Sequence, residues 1–167
     1  LPAGVVAPGG GGGRTAGDIY RSIAAGVSGT PMPGFGGTMS DEKLWSMVAP
    51  PELIANSCLI VMGSEGRGEQ IQKTDQDNAL LLRDGFEHAE LRDITARFNA
   101  GLDTLGWPPC PGNIMLTNPL WCAPVARFRE TVRDWVHGHD AEGPMHLAIF
   151  FDAAAVAGDA SLLAEVQ

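Results

Sequence analysis

A glycine-rich turn and a pair of acidic residues are the parts of this chain whose types and spacing could carry out chemistry. The run GSEGRG at 63–68 follows the apolar stretch 58–62, which predicts a buried strand that ends at the turn. Glycine at 63 lets the backbone approach a phosphate, and Ser64 and Arg67 can donate hydrogen bonds to its oxygens. The run therefore predicts a turn that binds a polyphosphate.

The acidic pair follows about ten residues later. Asp75 and Asp77 are two residues apart, and 78–82 continues as an apolar run. On a strand this spacing places both carboxylates on one face and Gln76 on the other. Carboxylate oxygens suit a hydrated divalent ion such as Mg²⁺, which also bridges substrate phosphates. The sequence thus predicts a metal site beside the phosphate-binding turn.

A third acidic residue is expected if two metal ions are to be held for phosphoryl or nucleotidyl transfer. The apolar run 145–151 predicts a strand that ends at Asp152, and Asp152 is the candidate. Each of these pieces alone is more often structural, as a simple turn or a solvated strand end. Their order along the chain favours the functional interpretation.

This order of motifs resembles the nucleotidyltransferase superfamily whose best-known member is DNA polymerase β. The blocks at 63–70, 74–78, 110–115 and 118–121 more narrowly resemble the DUF294 nucleotidyltransferases, and 150–152 and 156–159 extend the resemblance over about 52–167. The resemblance implies an α/β domain of the polymerase-β-like fold, with a small mixed sheet flanked by helices.

The resemblance also implies roles for individual residues. Gly63 and Ser64 would hold a nucleoside triphosphate, and Arg67 would add a phosphate contact. The ligands of two Mg²⁺ ions would be Asp75, Asp77 and Asp152. The family is described as similar to the uridylyltransferases that modify the PII regulatory protein, which implies a protein acceptor. Its members commonly carry CBS or cyclic-nucleotide-binding domains. The alternative is a nucleotide-sensing module without turnover.

Length, net charge and cysteine content limit the fold size, the classes of partner and the compartment expected for this chain. With 167 residues, the chain has room for one core domain of ordinary size. A net charge of −9 argues against nucleic acid as a partner, because backbone binding needs a basic surface. Three widely spaced cysteines favour reduced thiols in a cytoplasmic protein, and no apolar run is long enough to predict a membrane span.

The N-terminal part divides into a flexible Gly/Pro-rich tail over 1–14 and a short helical segment over 15–49, with helices expected at 18–25 and 40–48. The segment resembles the C-terminal part of a c-type cytochrome, in which Met32 would be the axial haem ligand. The Cys-x-x-Cys-His attachment motif is missing, so haem is not expected and the segment is either a remnant or an accidental likeness. The nucleotidyltransferase domain is assigned to 52–167 and is expected to be truncated at its C-terminus.

Apolar spacing predicts two further helices, one over 91–105 and one beginning at Pro124 and ending near Gly138. The proline-rich stretch 107–112 predicts a rigid loop. His137 and His139 could bind a metal by their spacing, but ordinary surface histidines are the favoured interpretation.

Overall fold

The structure is a computed structural model that describes residues 39–66 and 75–167, and of residues 64 and 65 it describes the backbone alone. The tail at 1–14, the predicted helix over 18–25, Met32 and Arg67 lie outside the described residues.

A four-stranded mixed sheet forms the centre of the described chain. The strand order is β3-β2-β1-β4, with β1 antiparallel to both β2 and β4, and β2 parallel to β3. The strands are β1 Ser57–Val61, β2 Asn78–Leu82, β3 Cys122–Pro124 and β4 Ala154–Gly158. This small mixed sheet with flanking helices confirms the α/β fold expected from the sequence.

Seven helices of the described residues surround the sheet. They are α1 Asp41–Val48, α2 Pro51–Ala55, α3 Gly63–Gly66, α4 Leu91–Thr104, α5 Val125–His137, α6 Gly143–Phe150 and α7 Ser161–Ala164. The predicted start of α1 is confirmed, because the Ser40 side chain accepts a hydrogen bond from the Lys43 backbone N at 3.3 Å. The predicted stop of α5 is confirmed too, since Gly138 ends it with φ of 72°.

Helices cover both faces of the sheet. On one face, α1 and α4 meet through Trp45 and Phe98, whose rings lie edge to face at 5.3 Å between centroids. On the other face, α5 and α6 contribute an aromatic cluster that includes Phe128 and Trp135. Every residue of β1 and β2 is therefore buried, which explains why both strands are continuous apolar runs rather than alternating ones.

The segment around α1 packs into this same core. Leu44 and Trp45, which fall in the predicted N-terminal segment 15–49, are 1% and 0% exposed and lie in one cluster with Leu59 and Leu80 of the sheet. Residues 39–49 are thus packed as part of the sheet domain.

The predicted strand over 145–151 is wrong, because this stretch forms the helix α6. An apolar run of this length cannot be assigned to strand or helix by periodicity alone. Pro144 in the first turn favours a helix start, and His146 and Phe150, four residues apart, are both buried on one side. Asp152 consequently follows a helix and precedes β4 instead of closing a strand.

Within the described part of the chain, no helix is both long enough and apolar enough to span a membrane.

Candidate active site

The turn after β1 is shaped by two glycines. Gly63 has φ of +60°, and a Cβ added there would lie 2.9 Å from Oδ2 of Asp77. A Cβ added to Gly66 would overlap the backbone carbonyl oxygen of Asp152. Glycine at both positions lets the turn approach the acidic pair on one side and the segment before β4 on the other.

Hydrogen bonds hold the acidic segment in place beside this turn. The backbone N of Met62 donates to the carbonyl oxygen of Asp77 at 2.9 Å, extending the pairing of β1 and β2 by one step. Asp75 and Asp77 therefore precede β2 rather than lying inside it. On the other side, Gln76 N donates to Pro108 O at 3.0 Å and Asn78 N to Ile114 O at 3.1 Å.

A buried amide network fixes the same segment from the side of α4. Asn99 Nδ2 donates to Gln76 Oε1 at 2.6 Å and to Asn78 Oδ1 at 3.1 Å. Gln76 Nε2 in turn donates to the carbonyl oxygen of Trp107 at 2.7 Å and to that of Asn99 at 3.1 Å. Because Gln76 and Asn78 are each 1% exposed, these bonds form away from water and hold Asp75 and Asp77 facing the opposite way.

One group of three candidate metal ligands occurs in the described ranges. It consists of Asp75, Asp77 and Cys110, whose ligand atoms all lie within 4.8 Å of one another. The two carboxylates are half-buried and the thiol is buried. Cys110 comes from the predicted proline-rich loop, which folds over the acidic pair.

The charges and burial of the group shift the pKa values of two of its members. Burial raises the pKa of Asp77, and the neighbouring charge of Asp75 raises it further, while a hydrogen bond from the Cys110 thiol opposes the change. Burial also raises the pKa of Cys110, and the carboxylate of Asp77 adds to this. The thiol is therefore protonated at neutral pH and donates to Asp77.

This donor set fits a divalent cation. Two carboxylates at this separation offer hard oxygen ligands on one side of the segment, and a cation between them would relieve their repulsion. The thiol is a softer ligand and, being protonated, acts here as a hydrogen-bond donor.

The structure brings together some of the sequence-predicted residues and not others. Gly63, Asp75 and Asp77 are adjacent. Asp152 is half-buried and reaches the turn through its backbone carbonyl oxygen, and its carboxylate is outside the three-residue ligand group of the described chain. Ser64 lies in α3, but its side chain, like Arg67, is outside what the structure describes.

Sequence reasoning missed two contributors to this site. Cys110 lies in the block 110–115, which resembles the DUF294 family. An isolated cysteine in a proline-rich loop gave no independent indication of a ligand. Asn99 lies next to Phe98 on the buried side of α4, where a polar residue among apolar ones was the available sign of a buried network.

Comparison with known proteins identifies the family of this chain. A family model described as "Putative nucleotidyltransferase DUF294" matches residues 39–142. The chain belongs to this family. The DUF294 match includes Gly63, Asp75, Asp77 and Cys110 and ends before Asp152. It also includes α1, in agreement with the packing of that helix against the sheet. Neither a curated protein nor a solved structure matches the chain.

Proposed function

We propose that this protein is a metal-dependent nucleotidyltransferase that moves a nucleoside monophosphate from a nucleoside triphosphate to an acceptor. The observation that carries the proposal is the close approach of the turn to the acidic pair. A Cβ added to Gly63 would lie only 2.9 Å from Oδ2 of Asp77. A phosphate bound at this turn would lie next to the carboxylates that bind the metal.

The residues would divide the work as follows. Asp75 and Asp77 would hold divalent metal, Mg²⁺ in our proposal, and the bound metal would neutralise phosphate charge and orient the triphosphate. Gly63 would admit the phosphates close to the backbone, with Ser64 and Arg67 as further phosphate contacts. Asp152, placed against Gly66, would complete the set for a second metal ion.

The acceptor in our proposal is a regulatory protein, by analogy with the PII uridylyltransferases, which the DUF294 family resembles. A net charge of −9 supports a protein acceptor over a nucleic acid, because a polyanion would be repelled. We place the protein in the cytoplasm, where triphosphates and reduced thiols are both maintained.

The test is a calorimetric titration of UTP and ATP with and without Mg²⁺, combined with an assay of pyrophosphate release and of label transfer from α-labelled nucleotide to protein. We expect Mg²⁺-dependent binding that Asp75→Asn weakens at least about tenfold, through loss of a charged ligand. Asp103→Asn is the matched control, since Asp103 is exposed on α4 and is not a member of the candidate ligand group.

Two results would contradict the proposal. Equal nucleotide affinity in Asp75→Asn and the unchanged protein would mean that the acidic pair does not hold the metal. Metal-independent binding without pyrophosphate release would instead support the nucleotide-sensing module.

A further inference from the structure

A cavity lies beside α1 and the sheet, and the proposed reaction does not use it. It is a groove of about 440 Å³ beside the N-terminal end of α1. Apolar side chains line about half of it, from Met39, Val61, Trp107, Ala155 and Val156, and Ser40 and the acidic residues Asp41 and Glu42 line the rest. We refer to it as the α1 groove.

Asp41 is the unusual residue of the α1 groove. It is only 7% exposed, and its Oδ2 atom has no hydrogen-bond partner in the described residues. Buried carboxylates are normally paired, because an unpaired charge away from water costs free energy. The N-terminal end of α1 gives partial compensation, since its backbone N–H groups favour negative charge.

Burial raises the pKa of Asp41 to about 6, against a smaller opposing effect of its own backbone N–H. Asp41 is thus mostly ionised at pH 7, despite its burial. Glu42, exposed at the same helix end, adds a second negative charge. The groove therefore presents negative charge, and within the described ranges one carboxylate oxygen in it, Asp41 Oδ2, accepts no hydrogen bond.

The chemistry of the walls limits the ligand. A nucleoside triphosphate would be repelled by Asp41 and Glu42. A metal ion would find too few ligands, because neither residue belongs to a group of three candidate ligands in the described ranges. An alkyl chain that ends in a positive charge fits this lining. Its methylenes would pack on Met39 and Val61, and its head group would contact Asp41 and the Trp107 ring.

We propose that the α1 groove binds an aliphatic cation, the ammonium or guanidinium group of a basic side chain or of a small amine. Such a group would donate a hydrogen bond to Oδ2 of Asp41, which has no partner among the described residues. The Val61 wall lies two residues before Gly63, so a cation held here is bound beside the strand that leads into the phosphate-binding turn.

The test compares two probes of matched shape by calorimetry on the whole chain. n-Butylguanidinium carries the charge, and n-butylurea is its neutral counterpart. We expect the cation to bind at least about tenfold more tightly than the urea, and Asp41→Asn to reduce its affinity by at least about tenfold. Asp75→Asn is the control, because it removes one charge from the acidic pair and leaves the α1 groove intact.

Equal affinity for the two probes would overturn the proposal. So would a loss of cation binding in Asp75→Asn with none in Asp41→Asn, since the cation would then occupy the metal site. Ala155→Leu provides a second variant that fills the groove without changing charge, and unchanged cation binding in it would also contradict the proposal.

A third probe distinguishes the sources of the cation. A peptide with one arginine between glycines will bind more tightly than n-butylguanidinium if the natural ligand is a protein side chain, and less tightly if it is a free amine. Both results support a cation site and differ only in its occupant. The readout is binding and does not depend on nucleotidyl transfer, so this proposal can fail or succeed separately from the proposed function.

Discussion

Gly63 combines a positive φ with a close approach to Asp77, a proposed metal ligand. Its positive φ suits glycine, and the absence of a side chain leaves space for the Asp77 carboxylate. Gly63→Ala should lose about 1–2 kcal/mol of unfolding free energy from the left-handed conformation and should also bind Mn²⁺ more weakly, because the new methyl group displaces Asp77. Denaturant unfolding and Mn²⁺ titration measure the two effects.

Gly85→Ala is the matched control for this prediction. Gly85 also has positive φ, at 78°, but a Cβ added there meets nothing within 4 Å. We expect a similar loss of stability in Gly85→Ala and unchanged Mn²⁺ affinity. Equal Mn²⁺ affinities in the two variants would show that the space at Gly63 is not needed by the metal site.

Asp77 should make the metal-free protein less stable at neutral pH. Its pKa is raised in the folded state, so its ionised form is disfavoured by folding, and lowering the pH through that pKa should relieve the cost. Asp77→Asn should therefore raise the melting temperature of the metal-free protein at pH 7, and its advantage should shrink as the pH falls toward 4. Thermal unfolding across this pH range measures the difference.

Added metal should reverse the order of the melting temperatures of the unchanged protein and Asp77→Asn. The unchanged protein should gain stability with Mg²⁺ or Mn²⁺ because the ion binds the folded state, whereas Asp77→Asn should gain much less. Asp103→Asn should gain as much stability from the added metal as the unchanged protein does. A lower melting temperature of metal-free Asp77→Asn at pH 7 would argue that Asp77 has a stabilising structural role instead.

At the scale of elements, the helix α4 acts on the site through Asn99. Asn99→Ala would leave Gln76 Oε1 without the donor at 2.6 Å, in a position where water has no access. We expect a loss of about 1–3 kcal/mol of unfolding free energy and weaker Mn²⁺ binding, because the segment carrying Asp75 and Asp77 loses its support.

Thr104→Ala on the same helix is the control for Asn99. Thr104 is exposed and its hydroxyl donates only to the Ala100 carbonyl oxygen of its own helix, so we expect a change within about 0.5 kcal/mol and normal Mn²⁺ affinity. Destabilised Asn99→Ala with unchanged Mn²⁺ affinity would limit the network to a role in folding.

The elements predicted from sequence were those with a strong local pattern. The strand at β1, the helix α4 and the bounds of α1 and α5 follow from apolar runs, 3.6-residue spacing and capping residues. The helix α6 was mistaken for a strand because its eight residues are too uniformly apolar to show a period. The strand β3 has only three residues, which is too short for a sequence pattern. It is a strand because it pairs with β2.

At the scale of the whole molecule, the site depends on contacts that no local pattern contains. The proximity of Gly63, Asp75 and Asp77 was foreseeable, because a strand, a turn and a second strand make up one motif. The approach of Cys110 to Asp77 and of Asp152 to Gly66 depends on how a loop and the distant segment between α6 and β4 pack against that motif. Such contacts are set by the assembled core and become visible only in the structure.

The place of β4 in the sheet has a consequence for how this protein is synthesised. One edge of the fully buried strand β1 pairs with β2 soon after it emerges, but its other edge pairs with β4, and residues 62–153 lie between them. At about 5–20 residues per second, a ribosome needs roughly 5–20 s to make that interval. During this time the nascent chain carries an apolar strand with an open edge, the kind of surface on which chains aggregate and to which chaperones bind.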